Sequence, residues 1–171
     1  KRYSFITHQF GIQRRIQGVA LADFKRLAMD TTLHEVICRR IPGENLEILQ
    51  SKIVGHLYTL ERAYNLDVNI PNIAKKFLKD AFRIQRIDIV DLEQMTSTVD
   101  LAANLPLDAH CQRFVTGCEQ YIDVHLMWSI KIKVPLISGV LEKHAEGEIR
   151  KFSEIEIDIV EDELRKQLGQ V

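Results

Sequence analysis

The sequence predicts an α+β fold in which a curved antiparallel sheet of about seven strands packs against one long C-terminal helix. Residues 121–134 alternate between apolar and mostly polar side chains, which is typical of an antiparallel strand that is buried on one face only. After Pro135 the apolar residues take up helical spacing for roughly 30 residues, which predicts a helix of about 45 Å. A sheet with one apolar face needs a cover, and this helix supplies it.

The remaining elements follow from the same two periodicities and from the residues that end them. Predicted strands cover residues 3–12, 44–54, 56–68, 83–94, 95–104 and 109–120, and predicted helices cover residues 19–30, 32–43 and 70–82. Pro42 and Gly43 end the second helix, Gly55 suits a hairpin turn, and Pro71 suits a first helical turn. The predicted order is one strand, two short helices, two strands, an inserted helix, four strands and the long helix.

Length, charge and cysteine content restrict the class of protein. A chain of 171 residues predicts one domain over residues 1–171, and 23 Lys and Arg against 24 Asp and Glu argue against nucleic acid as a partner. No apolar run approaches the length of a membrane-spanning helix, so no stable membrane insertion is expected. The three cysteines form no CxxC pair, which favours a cytoplasmic location. The oligomeric state stays open.

Two stretches of the chain resemble a known family. Residues 133–151 (KVPLISGVLEKHAEGEIRK) resemble the strand-to-helix junction VPLIGGKLEK of a bacterial family without an assigned function. Residues 70–78 (IPNIAKKFL) resemble the segment that this family inserts before its middle strands, and Ser138 stands where the family usually has its first glycine. Together with the element order, these stretches make the chain similar to the START-like, or Bet v 1-like (SRPBCC), superfamily, whose architecture is the helix-grip fold.

The resemblance implies a cavity between the sheet and the terminal helix that binds an apolar small molecule such as a lipid, a sterol or a polyketide. It supplies no catalytic residues, and neither a cofactor nor a metal is expected. The candidate cavity lining comes from the last strand, the terminal helix and two tyrosines of an earlier strand: Leu126, Trp128, Ile130, Ile137, Leu141, Ala145, Ile149, Phe152, Tyr58 and Tyr64. Trp128 has two interpretations, because an aromatic residue on an apolar strand face either packs in the core or lines a pocket.

Four charged residues lie inside predicted strands, namely Glu61, Arg62, Arg86 and Asp88. Charged residues on strands are mostly exposed to solvent, so we expect these four to lie on the outer surface. In the alternative interpretation they point inward and form an acid–base pair inside the cavity. A buried charge would then need a partner.

No motif in the sequence indicates a metal site or a known catalytic centre. The nearest approach to a ligand cluster is His110 beside Cys111, with Cys118 seven residues later. A zinc site needs three or four converging ligands, usually in close pairs, so we interpret this group as incidental polar residues at a strand end. GxSxG, P-loop and GxGxxG motifs are absent.

Gly139 and Gly147 lie inside the predicted terminal helix, where a glycine costs up to about 1 kcal/mol relative to alanine. The family resemblance predicts close packing of the helix against the sheet at Gly139. Gly147 has no counterpart in the matched stretch. We therefore predict that Gly147 leaves a gap for a ligand or marks a kink in the helix.

Three functions from different classes are consistent with these features. The leading hypothesis is the binding or transport of a hydrophobic or amphipathic small molecule without catalysis. The first alternative is an enzyme of the cyclase or hydrolase kind, which requires polar side chains with perturbed pKa values that converge inside the cavity. The second alternative is a protein-interaction module whose groove holds a helix or peptide of a partner.

Overall fold

The structure, a computed structural model, describes residues 8–170 and contains seven strands and four helices. The strands are β1 (His8–Gln17), β2 (Glu44–Val54), β3 (Leu57–Asn65), β4 (Arg83–Asp91), β5 (Thr96–Ala103), β6 (Leu107–Gly117) and β7 (Tyr121–Ile132). The helices are α1 (Leu21–Ala28), α2 (Thr31–Arg40), α3 (Asn72–Lys75) and α4 (Ser138–Gln167). This order confirms the predicted α+β helix-grip architecture, with two helices after the first strand and one helix between β3 and β4.

All seven strands belong to one antiparallel sheet in the order β1-β7-β6-β5-β4-β3-β2. The last strand, β7, therefore lies second from one edge of the sheet. The edge strand β1 pairs with it along the whole of β1, from His8 opposite Ile130 to Gln17 opposite Tyr121. The alternation predicted for β7 is confirmed, since Ile122 and Ile130 are fully buried whereas Met127 is half exposed. The buried face of this strand forms the main core with α4.

The helix α4 has the predicted length of about 30 residues, but its buried face differs in the second half. The apolar residues that follow helical spacing after Pro135 include Ile155 and Ile159, which the sequence therefore predicts on the buried face, but both are only half-buried. The core instead contains Ile157 and Leu164. Because successive helical residues are rotated by about 100°, Ile155 and Ile159 lie about 200° from Ile157, on the opposite side of the helix.

The helix α3 exists where the sequence predicted it but contains only four residues, Asn72–Lys75, instead of residues 70–82. The backbone bonds from Phe77 N to Ala74 O and from Leu78 N to Lys75 O span only three residues, so the chain leaves the α-helical pattern there. Ala74 is the one buried residue of α3, and a short helix without a packed face is only marginally stable. The segment therefore continues to β4 as irregular chain.

The first strand and the two glycines also differ from the prediction. β1 was predicted over residues 3–12, of which residues 3–7 lie outside the described part, and it continues to Gln17 because it pairs with all of β7 up to Tyr121. A Cβ atom added at Gly139 or at Gly147 would meet no atom within 4 Å, and α4 runs through both positions without interruption. The predicted close packing at Gly139 and the predicted ligand gap at Gly147 are therefore wrong, because both glycines face solvent.

Candidate functional site

Two cavities of about 150 Å³ each lie between the concave face of the sheet and α4. The first, called here the apolar cavity, is lined by β3, β4, β5, β7, α4 and the irregular chain around α3, and it is partly open to solvent. The second, called here the basic cavity, is lined by α1, α2, strands β3 to β7 and α4, and it is also partly open. The short helices after β1 thus cover one end of the concave face, and the segment between β3 and β4 covers the other.

Two residues that line the apolar cavity each have a buried polar atom without a hydrogen-bond partner among residues 8–170. One is the indole Nε1 of Trp128 on β7, and the other is the carboxyl Oε2 of Glu148 on α4. A buried donor or acceptor without a partner is uncommon, because it keeps its full desolvation penalty. Trp128 also packs against the main core, so both interpretations of this residue hold at once.

Six of the ten predicted lining residues border the apolar cavity, namely Tyr64, Trp128, Leu141, Ala145, Ile149 and Phe152. Tyr58 borders the basic cavity instead, where its hydroxyl lies 2.9 Å from the Ser51 hydroxyl. Leu126 and Ile130 are core residues that border neither cavity, because the sheet and α4 are in direct contact there. Ile137 packs beside Val134 and Leu141 at the start of α4 and borders neither cavity.

A cluster of five charged residues, called here the ionic cluster, lies on the concave face: Arg62 on β3, Arg86 and Asp88 on β4, Arg113 on β6 and Glu156 on α4. Arg86 Nε and Nη2 donate to the two carboxylate oxygens of Asp88 at 2.7 and 3.0 Å. Its Nη1 and Nη2 also donate to Glu156 at 2.9 and 2.7 Å. Arg86 therefore links β4 to the covering helix.

The ionic cluster holds its carboxylates in the charged form. Burial favours the neutral acid, but Arg86, Arg113 and Arg62 outweigh it and hold the pKa of Asp88 well below its usual range. Burial likewise opposes ionisation of Glu156, and the Arg86 guanidinium still lowers its pKa. Burial opposes the charge on Arg86, whereas Asp88 and Glu156 raise its pKa well above its ordinary value.

The expectation that Arg62, Arg86 and Asp88 face solvent is wrong, since these residues are 2, 5 and 6% exposed. Glu61 is the exception: it points to the outer face and accepts a hydrogen bond from Gln85 Nε2 at 2.8 Å. The alternation of β4 contained the signal, because Arg86 and Asp88 have the same parity as the buried Ile84 and Val90 of that strand.

The ionic cluster also separates the two cavities. Arg86 borders the apolar cavity, whereas Arg62, Asp88 and Arg113 border the basic cavity. Glu156 borders both. The bond between Arg86 and Glu156 therefore lies in the wall between the two spaces.

Within residues 8–170, no three His, Cys, Asp or Glu side chains converge as a metal site. His110 and Cys111 are neighbours on β6 and consequently point to opposite faces of the sheet. His110 contacts Asp100 at 2.7 Å on the outer face, while Cys111 is fully buried in the core. None of the helices described between residues 8 and 170 has the length and apolar character needed to cross a membrane.

Comparison with solved structures places this architecture among known folds. The TTHA0849 protein from Thermus thermophilus superposes with a TM-score of 0.62 and 14% identity, over 94% of this chain and 99% of that one. The Zhui aromatase/cyclase from a Streptomyces species gives a TM-score of 0.62 and 8% identity, over 94% and 96%. A START superfamily protein from Mycobacterium smegmatis gives 0.57 and 10%, over 94% and 99%.

No protein-family model matches the chain, and no curated protein matches it. At identities of 8 to 14%, the superposed structures establish the fold alone. The agreement nevertheless covers 94% of this chain in each case. The chain therefore has the START-like, or Bet v 1-like, helix-grip fold.

Proposed function

We propose that this protein binds a hydrophobic or amphipathic small molecule in the apolar cavity between the sheet and α4. The observation that carries the proposal is the unpartnered Nε1 of Trp128, a hydrogen-bond donor buried in the wall of an apolar space. Ligand sites are characteristically apolar cavities with a few polar groups that set orientation. Affinity then comes from apolar area removed from water, at about 25 cal/mol per Å².

The volume of the apolar cavity limits the size of the ligand, and the polar groups in its wall indicate which polar group the ligand carries. A cavity of about 150 Å³ is large enough for one small ring such as benzene. The Trp128 Nε1 donates a hydrogen bond, and the Glu148 Oε2 is available as an acceptor. A compact apolar molecule with one hydroxyl group would satisfy these atoms, because a hydroxyl both accepts and donates.

The irregular segment around α3 is the proposed entrance to the apolar cavity. It contributes Val68, Ile70 and Phe77 to the wall, and Phe77 is also 41% exposed. Between Asn65 and Arg83 the only regular structure is the four-residue α3. Segments with few backbone hydrogen bonds open more easily than strands, so this part of the wall is the one that would move.

Fluorescence of Trp128 tests the proposal directly, because it is the only tryptophan of the chain. We expect a saturable change on titration with cyclohexanol and weaker binding of methylcyclohexane, which has the same shape without the hydroxyl. Ala145→Phe should abolish both changes by filling the cavity. Val140→Phe is the matched control, because Val140 lies on the same helix and is 74% exposed. The absence of a saturable change with any such probe would overturn the proposal.

The enzymatic alternative requires polar side chains that converge inside the cavity. The ionic cluster does converge there, but its carboxylates have lowered pKa values and Arg86 a raised one. A general acid or base works best with a pKa near the operating pH, so these shifts suit ion pairing and do not suit proton transfer. We therefore prefer the binding function to the enzymatic alternative. The cytoplasmic location is retained in this proposal and is supported by three free thiols.

A further inference from the structure

Arg62 is an almost fully buried residue whose guanidinium makes no hydrogen bond to any of residues 8–170. The residue is 2% exposed, and its side chain borders the basic cavity. Within the described residues 8–170 its one charged contact is Asp88 Oδ1, at 3.9 Å from its Nη1, which is beyond hydrogen-bonding distance. A guanidinium has five N–H donors, so Arg62 has the largest unused hydrogen-bonding capacity in the ionic cluster.

Asp88 already accepts hydrogen bonds from the other two arginines of the cluster, Arg86 and Arg113. Its two oxygens accept bonds from Arg86 at 2.7 and 3.0 Å, and its Oδ2 also accepts one from Arg113 Nη2 at 3.1 Å. Arg113 in addition donates to the Ser97 hydroxyl at 2.8 Å and contacts Glu156. The geometry therefore offers Arg62 no second carboxylate.

The formal charges of the cluster lead to the same conclusion. Three arginines face two carboxylates, Asp88 and Glu156, and both carboxylates are ionised because their pKa values are lowered. The other titratable groups of the basic cavity wall are His34, Cys38 and Tyr58. Burial lowers the pKa of His34 and raises the pKa values of Cys38 and Tyr58, so all three are neutral at pH 7. The cavity thus holds one positive charge in excess, and a buried charge is costly unless it is paired.

We propose that the basic cavity is a second ligand site, which binds a small amphipathic carboxylate with its anionic group on Arg62. A carboxylate matches the planar fork of a guanidinium and would neutralise the excess charge. Most of the rest of the wall is apolar and includes Phe24, Leu33 and Ile37, so the organic body of the ligand would pack there. The site does not rest on the proposed function, because the ionic cluster separates it from the apolar cavity.

The first test compares benzoate with benzyl alcohol by isothermal titration calorimetry on the full chain carrying Ala145→Phe, because the filled apolar cavity of this variant cannot take up the alcohol. The two probes have similar shape and differ in charge. We expect benzoate to bind at least about tenfold more tightly, because hydrogen bonds to a charged group contribute more than neutral ones. Equal affinities would overturn the inference. Inorganic phosphate that binds as tightly as benzoate would overturn it too, since the apolar wall would then contribute nothing.

Variants assign the binding to Arg62. Arg62→Met keeps the length of the side chain and should lose benzoate binding at least about tenfold. Arg15→Met is the matched control, because Arg15 lies on the outer face and pairs with Asp123 at 2.9 Å. If Arg62→Met fails to fold, Arg62→Lys replaces it; this variant retains the charge but not the fork, so we expect weaker binding than in the unmodified chain. Benzoate affinity that is unchanged in a folded Arg62 variant would overturn the inference.

The same variants separate this site from the apolar cavity. Ala145→Phe should leave benzoate binding intact, because Ala145 does not border the basic cavity. Arg62→Met should leave the cyclohexanol response of Trp128 intact. If cyclohexanol binds as expected but benzoate does not, the second site is overturned and the proposed function stands. If benzoate binds as expected but cyclohexanol does not, the proposed function is overturned and the second site stands.

Discussion

Arg86 of β4 and Glu156 of α4 form a two-bonded ion pair with N–O distances of 2.9 and 2.7 Å. The Arg86 side chain is 6% exposed and the Glu156 side chain 21% exposed. The pair joins the sheet to the covering helix at the boundary between two cavities. Apolar contacts alone fix the position of a helix only loosely, because they are not directional. A buried ion pair has a defined geometry, so it favours one register of α4 along the sheet over its neighbours.

Replacing Glu156 with glutamine should lower the free energy of unfolding by about 3 kcal/mol, because removal of one partner leaves Arg86 buried with one carboxylate fewer. Urea unfolding followed by circular dichroism at pH 7 measures the loss. The expected change is large for a substitution that keeps the size and shape of the side chain.

Glu154→Gln is the control for this prediction. Glu154 lies on the same helix and pairs with Arg14 at 3.3 Å, but its side chain is 51% exposed. Exposed ion pairs contribute at most about 1 kcal/mol, so this variant should be nearly as stable as the unmodified chain. Equal losses for the two variants would mean that the Arg86–Glu156 pair gains nothing from its burial.

His34 should make stability depend on pH below about 7. Burial lowers its pKa, although the hydrogen bond from its Nε2 to the Ala28 carbonyl oxygen at 2.7 Å acts in the opposite direction. The unfolded chain then binds a proton near pH 6.5 while the folded chain does not. The stability from His34 is therefore complete above pH about 6.5 and decreases on acidification, by at most about 1.4 kcal/mol per pH unit.

Urea unfolding at several pH values measures this slope. His34→Gln should remove the loss of stability that begins below pH about 7, because glutamine does not titrate. His110→Gln is the control, since that side chain is 43% exposed on the outer face of the sheet. A slope in this range that survives His34→Gln would assign the titration to another group.

Only Cys118 should react quickly with a disulfide reagent in the folded protein. Cys111 is fully buried and burial raises its pKa to about 11, while Cys38 is 3% exposed and has a raised pKa for the same reason. The thiolate is the reactive species, so both cysteines should react only after unfolding. Cys118→Ser should remove the fast phase seen with a chromogenic disulfide. If a second thiol per chain reacted in the fast phase, the core around Cys38 or Cys111 would have to open locally.

The elements that sequence alone predicts are those that are buried on one side. β7 and α4 each alternate between core and solvent, so their periods of 2 and about 3.6 appear directly in the residue order. Residues 70–82 have a helical apolar pattern too, but the chain forms only α3 there, because little of this pattern meets a packing surface. Periodicity therefore predicts an element reliably only where tertiary contacts use it.

The candidate site was less predictable, for a physical reason. Strand parity indicates that Arg86 and Asp88 point inward, but a buried charge is acceptable only with a partner. Those partners, Arg113 and Glu156, come from β6 and α4 and lie 25 and 70 residues away in the chain. No local pattern in the sequence predicts that β4, β6 and α4 come together in the fold. The cavity wall around α3 is mostly irregular chain, so the helical apolar pattern of residues 70–82 gave a wrong picture of its structure.

Gly147→Ala should stabilise the protein by about 0.5–1 kcal/mol, because glycine in a helix interior lowers stability relative to alanine. The added Cβ meets no atom within 4 Å, and Gly147 is not among the glycines with positive φ. Gly139→Ala should act in the same direction by a smaller amount, since Gly139 lies in the first turn of α4. Thermal unfolding followed by circular dichroism measures both changes.

Gly117→Ala provides the opposite control for the glycine variants. At Gly117 a Cβ would lie 2.9 Å from Ile122 Cα and would also clash with the Tyr121 backbone oxygen, so we expect this variant to be destabilised. Because Gly147 faces solvent, Gly147→Ala should also leave the cyclohexanol affinity of the apolar cavity unchanged. A variant that is more stable but has lost this binding would restore the sequence-based interpretation, in which the missing side chain at Gly147 makes room for the ligand.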